Sequence, residues 1–167
     1  MGMRACYQMV NADDLDELMK KSFDDLFDAI EDMQEDENTV LDIDKLWDGM
    51  HFLITGTSAE QPMEGNLLSE AVVGTKTFSD DEDADFIAYI LPEKVPSILN
   101  ALAQFDIECA IDRFNPNEFA QQDIYPNIWM RESRESLQEE LKECFGEIKK
   151  FYEQAAAAEN AVVISIY

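Results

Sequence analysis

Basic side chains are scarce in this sequence of 167 residues: 12 lysines and arginines stand against 37 aspartates and glutamates, a formal net charge of −25. A surface of this sign repels phosphate and lacks the cationic groups that release counterions from a nucleic acid. The composition therefore excludes a protein that binds DNA or RNA. The same charge attracts basic proteins and cations, although a high net charge also serves simply to keep a protein soluble.

Cysteines and long apolar runs are scarce as well. Cys6, Cys109 and Cys144 are an odd number without CxxC spacing, which favours a reducing compartment. No apolar run reaches the ~18 residues of a membrane span, and the first residues lack the basic and apolar regions of a signal peptide. We therefore expect a cytoplasmic protein that does not enter a membrane.

The chain does have the means to build a core, because 46% of its residues are hydrophobic and ten are phenylalanine. This suffices for one domain of roughly 100 to 200 residues. No internal repeat or long linker divides residues 1–167. We predict a single mixed α+β domain, in which a small central sheet includes the N- and C-terminal strands and is packed by several helices.

Apolar spacing and capping residues place the elements along the chain. Strands are predicted at residues 3–10, 75–78, 86–91 and 161–167. Helices are predicted after the caps Asn11 and Ser22, from residue 42 or 44 to a Thr-Gly stop at 55–56, and at 67–73, 92–103, 107–114, 116–122 and 133–158.

The helix predicted after Ser22 has an acidic outer side. Its apolar residues follow a three-four spacing, and the opposite side carries Asp24, Asp28, Glu31 and Glu35. Like charges at this spacing repel each other, so such a face serves either solubility or a partner. Residues 1–60 hold 16 acids and 4 bases, whereas residues 111–167 hold 11 and 6. The charge therefore favours a non-catalytic module that binds a basic protein through these residues and the acidic loop 80–85.

His51 is the single histidine, so any Ser-His-Asp or Cys-His site must use it, and a multi-histidine metal site is excluded. Asp44 and Asp48 are its nearest acids along the predicted helix, and Trp47 lies one turn before it. These residues and Tyr125 suggest the alternative function, a small-molecule enzyme in which Asp44 or Asp48 orients His51 as a general base. The other interpretation is structural: His51 is a packed, hydrogen-bonded residue, and the segment 125–129 plugs the edge of the core.

Metal and phosphate motifs do not fit. When the acidic run 81–92 is aligned with the EF-hand calcium loop, Phe86 takes the place of the glycine and Pro92 that of the last glutamate. The segment 55–58 lacks the spacing and the lysine of a P-loop. We expect neither a metal site nor a cofactor.

The run LDIDKLWDGMHFLITGTS at 41–58 resembles the YfbM-like family, a bacterial group known as a domain of unknown function. The opening strand, LLSEAVVG at 67–74, IYPNIW at 124–129 and the terminal apolar strand share the resemblance, which covers essentially the whole chain. It implies a single domain of α/β type that is bacterial and cytosolic. It implies no reaction, cofactor or catalytic residue. By composition alone, the chain is also similar to immunity proteins that neutralise basic toxins.

Overall fold

Five strands of the described part of the chain form one antiparallel sheet at the centre of the molecule. The computed structural model describes residues 2–81 and 84–167. Within them the strands are β1 (Ala5–Val10), β2 (Val40–Asp42), β3 (Lys76–Thr77), β4 (Phe86–Ile90) and β5 (Ala161–Ile166). Their order across the sheet is β2-β1-β5-β4-β3, and every neighbouring pair is antiparallel.

Helices of the described ranges pack on both sides of this sheet. They are α1 (Ala12–Met19), α2 (Phe23–Met33), α3 (Trp47–Thr55), α4 (Leu67–Val73), α5 (Val95–Gln104), α6 (Ile107–Asp112), α7 (Pro116–Gln121) and α8 (Arg134–Ala157). The α+β class predicted from the sequence is confirmed by this arrangement.

The two terminal strands lie at the centre of the sheet because both are apolar on both sides. Every residue of β5 is buried, and in β1 only Met9 is partly exposed. The two strands pair directly, with Tyr7 opposite Ile164. A strand covered on both faces is typically a continuous apolar run. The predicted sheet with neighbouring N- and C-terminal strands is confirmed.

Alternate residues of each strand face two separate cores. On one face, α3, α4, α5 and α8 build the larger core around Tyr7, Ile90 and Ile164. On the other face, α1 and α2 cover Val10 and Val163 with apolar side chains from both helices: Leu15, Leu18, Leu26 and Ile30. The sheet therefore separates the α1–α2 layer from the side that carries α3 and α4.

Several helix ends fall where the sequence predicts them. The side chains of Asn11, Ser22 and Ser133 accept hydrogen bonds from backbone N–H groups in the first turns of α1, α2 and α8. Gly56 ends α3 with φ of 77°, a left-handed conformation that favours glycine. These caps fix where the helices begin and end.

One prediction for the segment 40–56 is wrong. The sequence predicts a single helix from residue 42 or 44, but Val40–Asp42 pairs with β1, and a 3-10 turn (Asp44–Leu46) precedes α3. Asp44 has a positive φ of 50°, and its N–H donates to the Asp42 side chain at 2.7 Å. This turn separates the strand from the helix. The predicted start of α5 at residue 92 is also too early, because residues 92–94 form a turn.

No helix in the described ranges is both long enough and apolar enough to cross a membrane.

Candidate functional site

The α1–α2 layer and the residues that follow it carry a dense group of acidic side chains. All acidic residues between positions 13 and 37 are exposed, and we call them the acidic face: Asp13, Asp14, Asp16, Glu17, Asp24, Asp25, Asp28, Glu31, Asp32, Glu35, Asp36 and Glu37. Only two basic residues lie in this span, and one of them, Lys20, is bonded to Glu17 at 2.7 Å. The predicted docking residues Asp24, Asp28, Glu31 and Glu35 all belong to this surface.

The second acidic segment of the prediction is described only in part. Asp80, Asp81 and Asp85 are exposed. Glu82 and Asp83 lie outside the described residues. No group of three or more histidine, cysteine or acidic side chains in the described ranges is arranged to hold a metal ion.

His51 is fully buried at the centre of a hydrogen-bond network. Its Nδ1 lies 2.6 Å from the Thr57 carbonyl, which can only accept, so Nδ1 carries the proton. The unprotonated Nε2 then accepts from the Ser69 hydroxyl at 2.7 Å, and the Ser69 Oγ accepts from the Met63 N–H at 3.0 Å. Burial lowers the pKa of His51, against smaller raising effects of the Thr57 hydrogen bond and of Asp48.

The geometry of this network bears on the predicted general base. A serine bonded to a neutral imidazole is the arrangement that activates a nucleophile. However, His51 is 0% exposed and Ser69 is 1% exposed. Both ring nitrogens of His51 are already hydrogen-bonded, to Thr57 and to Ser69. As folded here, the network ties α3 to α4 and to the loop between them. Catalysis by His51 stays a prediction that requires this network to open.

The acids predicted to orient His51 have other partners. Asp48 is buried and accepts from the Ser58 hydroxyl at 2.9 Å, the Ala59 N–H at 2.7 Å and the Tyr125 N–H at 2.8 Å. Asp44 is exposed and lies 3.5 Å from the Arg4 guanidinium, which is also bonded to Asp42. No hydrogen bond that these two acids make within the described residues involves His51.

Trp47 and Tyr125, the predicted aromatic residues, contact each other. Their ring centroids are 5.4 Å apart at 29°, a stacked pair. The indole N–H of Trp47 donates to the Met3 carbonyl at 3.2 Å. Further along the same segment, Trp129 is 1% exposed, and its N–H donates to the Ile124 carbonyl at 2.7 Å. The 125–129 segment thus packs on α3 largely as a plug.

Two cavities lie beside α4, on the opposite side of the sheet from the acidic face. The first, about 390 Å³, is lined by Trp47 among others, and the second, about 270 Å³, includes Ser69 and Glu70. Val73 and Phe86 line both, so the two cavities are adjacent. His51 and Tyr125 are outside the set of described residues that line either one.

Glu70 is the buried acid of this region, with 5% of its surface exposed. Its Oε1 accepts from Lys94 Nζ at 2.7 Å, whereas its Oε2 makes no hydrogen bond within the described residues. An unsatisfied buried acceptor costs about 1–3 kcal/mol. Sequence reasoning missed Ser69, Glu70 and Lys94. The available signal was Ser-Glu in the middle of LLSEAVV, because polar groups inside an apolar helix need partners.

The comparison with known proteins agrees with the resemblance found in the sequence. A sequence model of the family described as "Domain of unknown function (DUF1877)" matches residues 1–165. The chain belongs to this family. The predicted YfbM-like membership is thereby confirmed, and the family description names no activity.

Protein YfbM of Escherichia coli is similar to this chain both in sequence and in its solved structure. Protein YfbM of Escherichia coli (strain K12) is 29% identical over 135 residues, which are 81% of this chain and 80% of the relative. The crystal structure of YfbM from Escherichia coli, described as a protein of unknown function, superposes with a TM-score of 0.81. That match covers 98% of this chain and 99% of the other at 23% identity, and it shows the fold alone.

Proposed function

We propose that this DUF1877 protein is a non-catalytic binding module that docks a basic protein surface on its acidic face. The observation that carries the proposal is the exposure of all twelve carboxylates of the α1–α2 layer, with one of the two lysines in that span already bonded to Glu17. The most specific form of the proposal is an inhibitor similar to immunity proteins, with a basic toxin as the partner.

The support is both electrostatic and structural. Charges concentrated on one side attract a basic partner and speed its association, and they penalise partners of the same sign. Nine of the twelve carboxylates lie on α1 and α2, which pack against the sheet through Leu15, Leu26 and Ile30. Docking on these packed helices therefore requires little ordering of the backbone.

The proposal is tested by capturing binding proteins from a lysate of the source organism on the wild-type chain and on a variant with an altered acidic face. The wild-type chain is immobilised beside a variant in which Asp24→Asn, Asp28→Asn, Glu31→Gln and Glu35→Gln neutralise part of the acidic face. The matched control is a chain with Glu→Gln at four exposed positions of α8: Glu139, Glu143, Glu147 and Glu153. Both variants gain the same net charge, so only the position of the lost charges differs.

We expect wild type and the α8 control to retain one stoichiometric basic protein, and the acidic-face variant to lose it. Moderate salt should release this protein. Two results contradict the proposal. One is that no protein is retained stoichiometrically. The other is equal retention by the two variants, which is the behaviour of an unspecific cation exchanger.

A further inference from the structure

The first of the two adjoining cavities offers mainly carbon surface. Trp47, Val73, Phe86 and Ile166 line it, and the indole N–H of Trp47 is already bonded to the Met3 carbonyl. Its volume of about 390 Å³ falls within the range of small-molecule pockets, about 300–1,000 Å³. The charged residues at this cavity are both carboxylates, Glu60 and Asp85, and both are exposed. An apolar body fits here, and an anionic group does not.

The second cavity adds hydrogen-bond acceptors that lack donors. Glu70 and Thr75 line this cavity together with the exposed residues Glu64 and Lys76. The atoms Glu70 Oε2 and Thr75 Oγ1 are buried and make no hydrogen bond within the described part of the chain. Lys94 occupies only the other oxygen of Glu70, at 2.7 Å. The terminal torsion of a glutamate is soft, and its rotation, which moves both oxygens together, can turn Oε2 toward the cavity. A donor that enters the cavity and bonds to Glu70 Oε2 satisfies this acceptor.

We propose that the two adjacent cavities bind a small amphipathic amine. Its apolar body lies against Trp47, Val73 and Phe86, and its ammonium head donates to Glu70 Oε2 and Thr75 Oγ1. Glu60 and Asp85 at the first cavity and Glu64 at the second favour the same charge, whereas Lys76 at the second opposes it. This site lies across the sheet from the acidic face, and it requires neither a protein partner nor catalysis by His51.

Matched pairs of small probes test the proposed class of ligand. Hexylamine, 2-phenylethylamine and tryptamine are titrated into the full-length chain at neutral pH, each against the carboxylate of matched length, by calorimetry and by amide shifts in NMR. At least one amine is expected to bind about tenfold or more tightly than its carboxylate counterpart, the ratio typical of one charged hydrogen bond. Shifts should concentrate at residues 69–77 and 86. If no amine binds, or if carboxylates bind as well, the proposal is overturned.

Substitutions at the head-group site provide the second arm. Glu70→Gln is expected to weaken amine binding about tenfold, while Glu93→Gln, an exposed position outside both cavities, leaves it unchanged. Because Glu70→Gln also removes the partner of Lys94, its melting temperature is measured alongside. If that variant does not fold, Thr75→Val decides, since it leaves the ion pair intact and removes an unbonded hydroxyl. If the Glu70→Gln chain folds and binds the amine with wild-type affinity, the proposed site is contradicted. If Glu70→Gln does not fold, wild-type affinity of the Thr75→Val chain contradicts the site instead.

Discussion

At the scale of single residues, buried polar groups organise the region around α3. His51 and Asp48 are both nearly or fully inaccessible, and each bonds to the segment that follows α3. Buried groups of this kind stabilise only when every partner is in place. Their removal therefore tests whether the region is held together as a network.

Replacement of His51 should destabilise the fold substantially. His51→Ala leaves the Ser69 hydroxyl and the Thr57 carbonyl without their partner and opens a cavity, so we expect the free energy of unfolding to fall by about 3 kcal/mol. Ser69→Ala removes the bond to His51 Nε2 and the bond from the Met63 N–H but opens a much smaller cavity, so it should cost less, about 1–2 kcal/mol. Urea denaturation of both variants checks this. A loss below about 0.5 kcal/mol for His51→Ala, the range of surface substitutions, would contradict the network.

The same residue should make stability depend on pH. Burial lowers the pKa of His51 below its ordinary value of 6.5, so below that pH the unfolded chain binds a proton that the folded chain does not. Stability should therefore decrease as pH falls below about 6.5. The measurement is the free energy of unfolding on either side of that value, in wild type and in His51→Gln. The difference between the two chains isolates His51 from the many carboxylates, and an identical pH dependence would contradict the assignment.

The sequence marks His51, Asp48 and Trp47 as residues that make specific contacts, but it does not identify the residues they contact. Their contacts are Thr57, Ala59, Tyr125 and Met3, and only the fold brings the last two to α3. Glu70 was not singled out, because its partner Lys94 is 24 residues away and no periodicity links them. Local caps and apolar spacing are readable, whereas pairings across the fold are not.

At the scale of elements, α3 approaches the 125–129 segment closely because it carries glycine at position 49. A Cβ built on Gly49 would lie 2.5 Å from the Trp129 ring, whereas one built on Gly146 of α8 would meet no heavy atom within 4 Å. The two glycines are both inside helices, so substitution by alanine separates the effect of packing from that of helix propensity.

We expect opposite outcomes for the two alanine substitutions. Gly49→Ala should lower the free energy of unfolding by about 1–3 kcal/mol through overpacking against Trp129. Gly146→Ala should raise it by roughly 0.5–1 kcal/mol through reduced backbone entropy in the unfolded chain. Thermal and urea denaturation of the two variants measure both values. A stabilising Gly49→Ala would mean that Trp129 does not press on α3.

The strand β2 shows why the boundaries of elements are harder to predict than the elements themselves. Residues 41–56 have the composition of one capped helix, but Val40–Asp42 finds hydrogen-bond partners on the open edge of β1. Pairing with an edge strand is a tertiary effect that outweighs local propensity. By contrast, β1, β5 and the long helix α8 were predictable because their patterns leave little choice.

At the scale of the whole molecule, the sheet divides two kinds of surface. One side carries the acidic face, and the other carries the two cavities beside α4. Residues 13–37 hold 12 acids and 2 bases, a formal charge of −10 out of the −25 of the whole chain. Because charge of one sign on one layer attracts a basic partner, docking on the acidic face is the central claim.

The affinity of the captured basic partner at two ionic strengths tests that claim most directly. Between about 0.01 M and about 0.15 M salt, the Debye length falls from about 30 Å to about 8 Å, which screens an exposed charged interface. The account predicts that wild type and the α8 control lose affinity over this range by about tenfold or more, and that the acidic-face variant binds weakly at both ionic strengths. Equal affinity of the wild-type and acidic-face chains, or binding indifferent to salt, would contradict it.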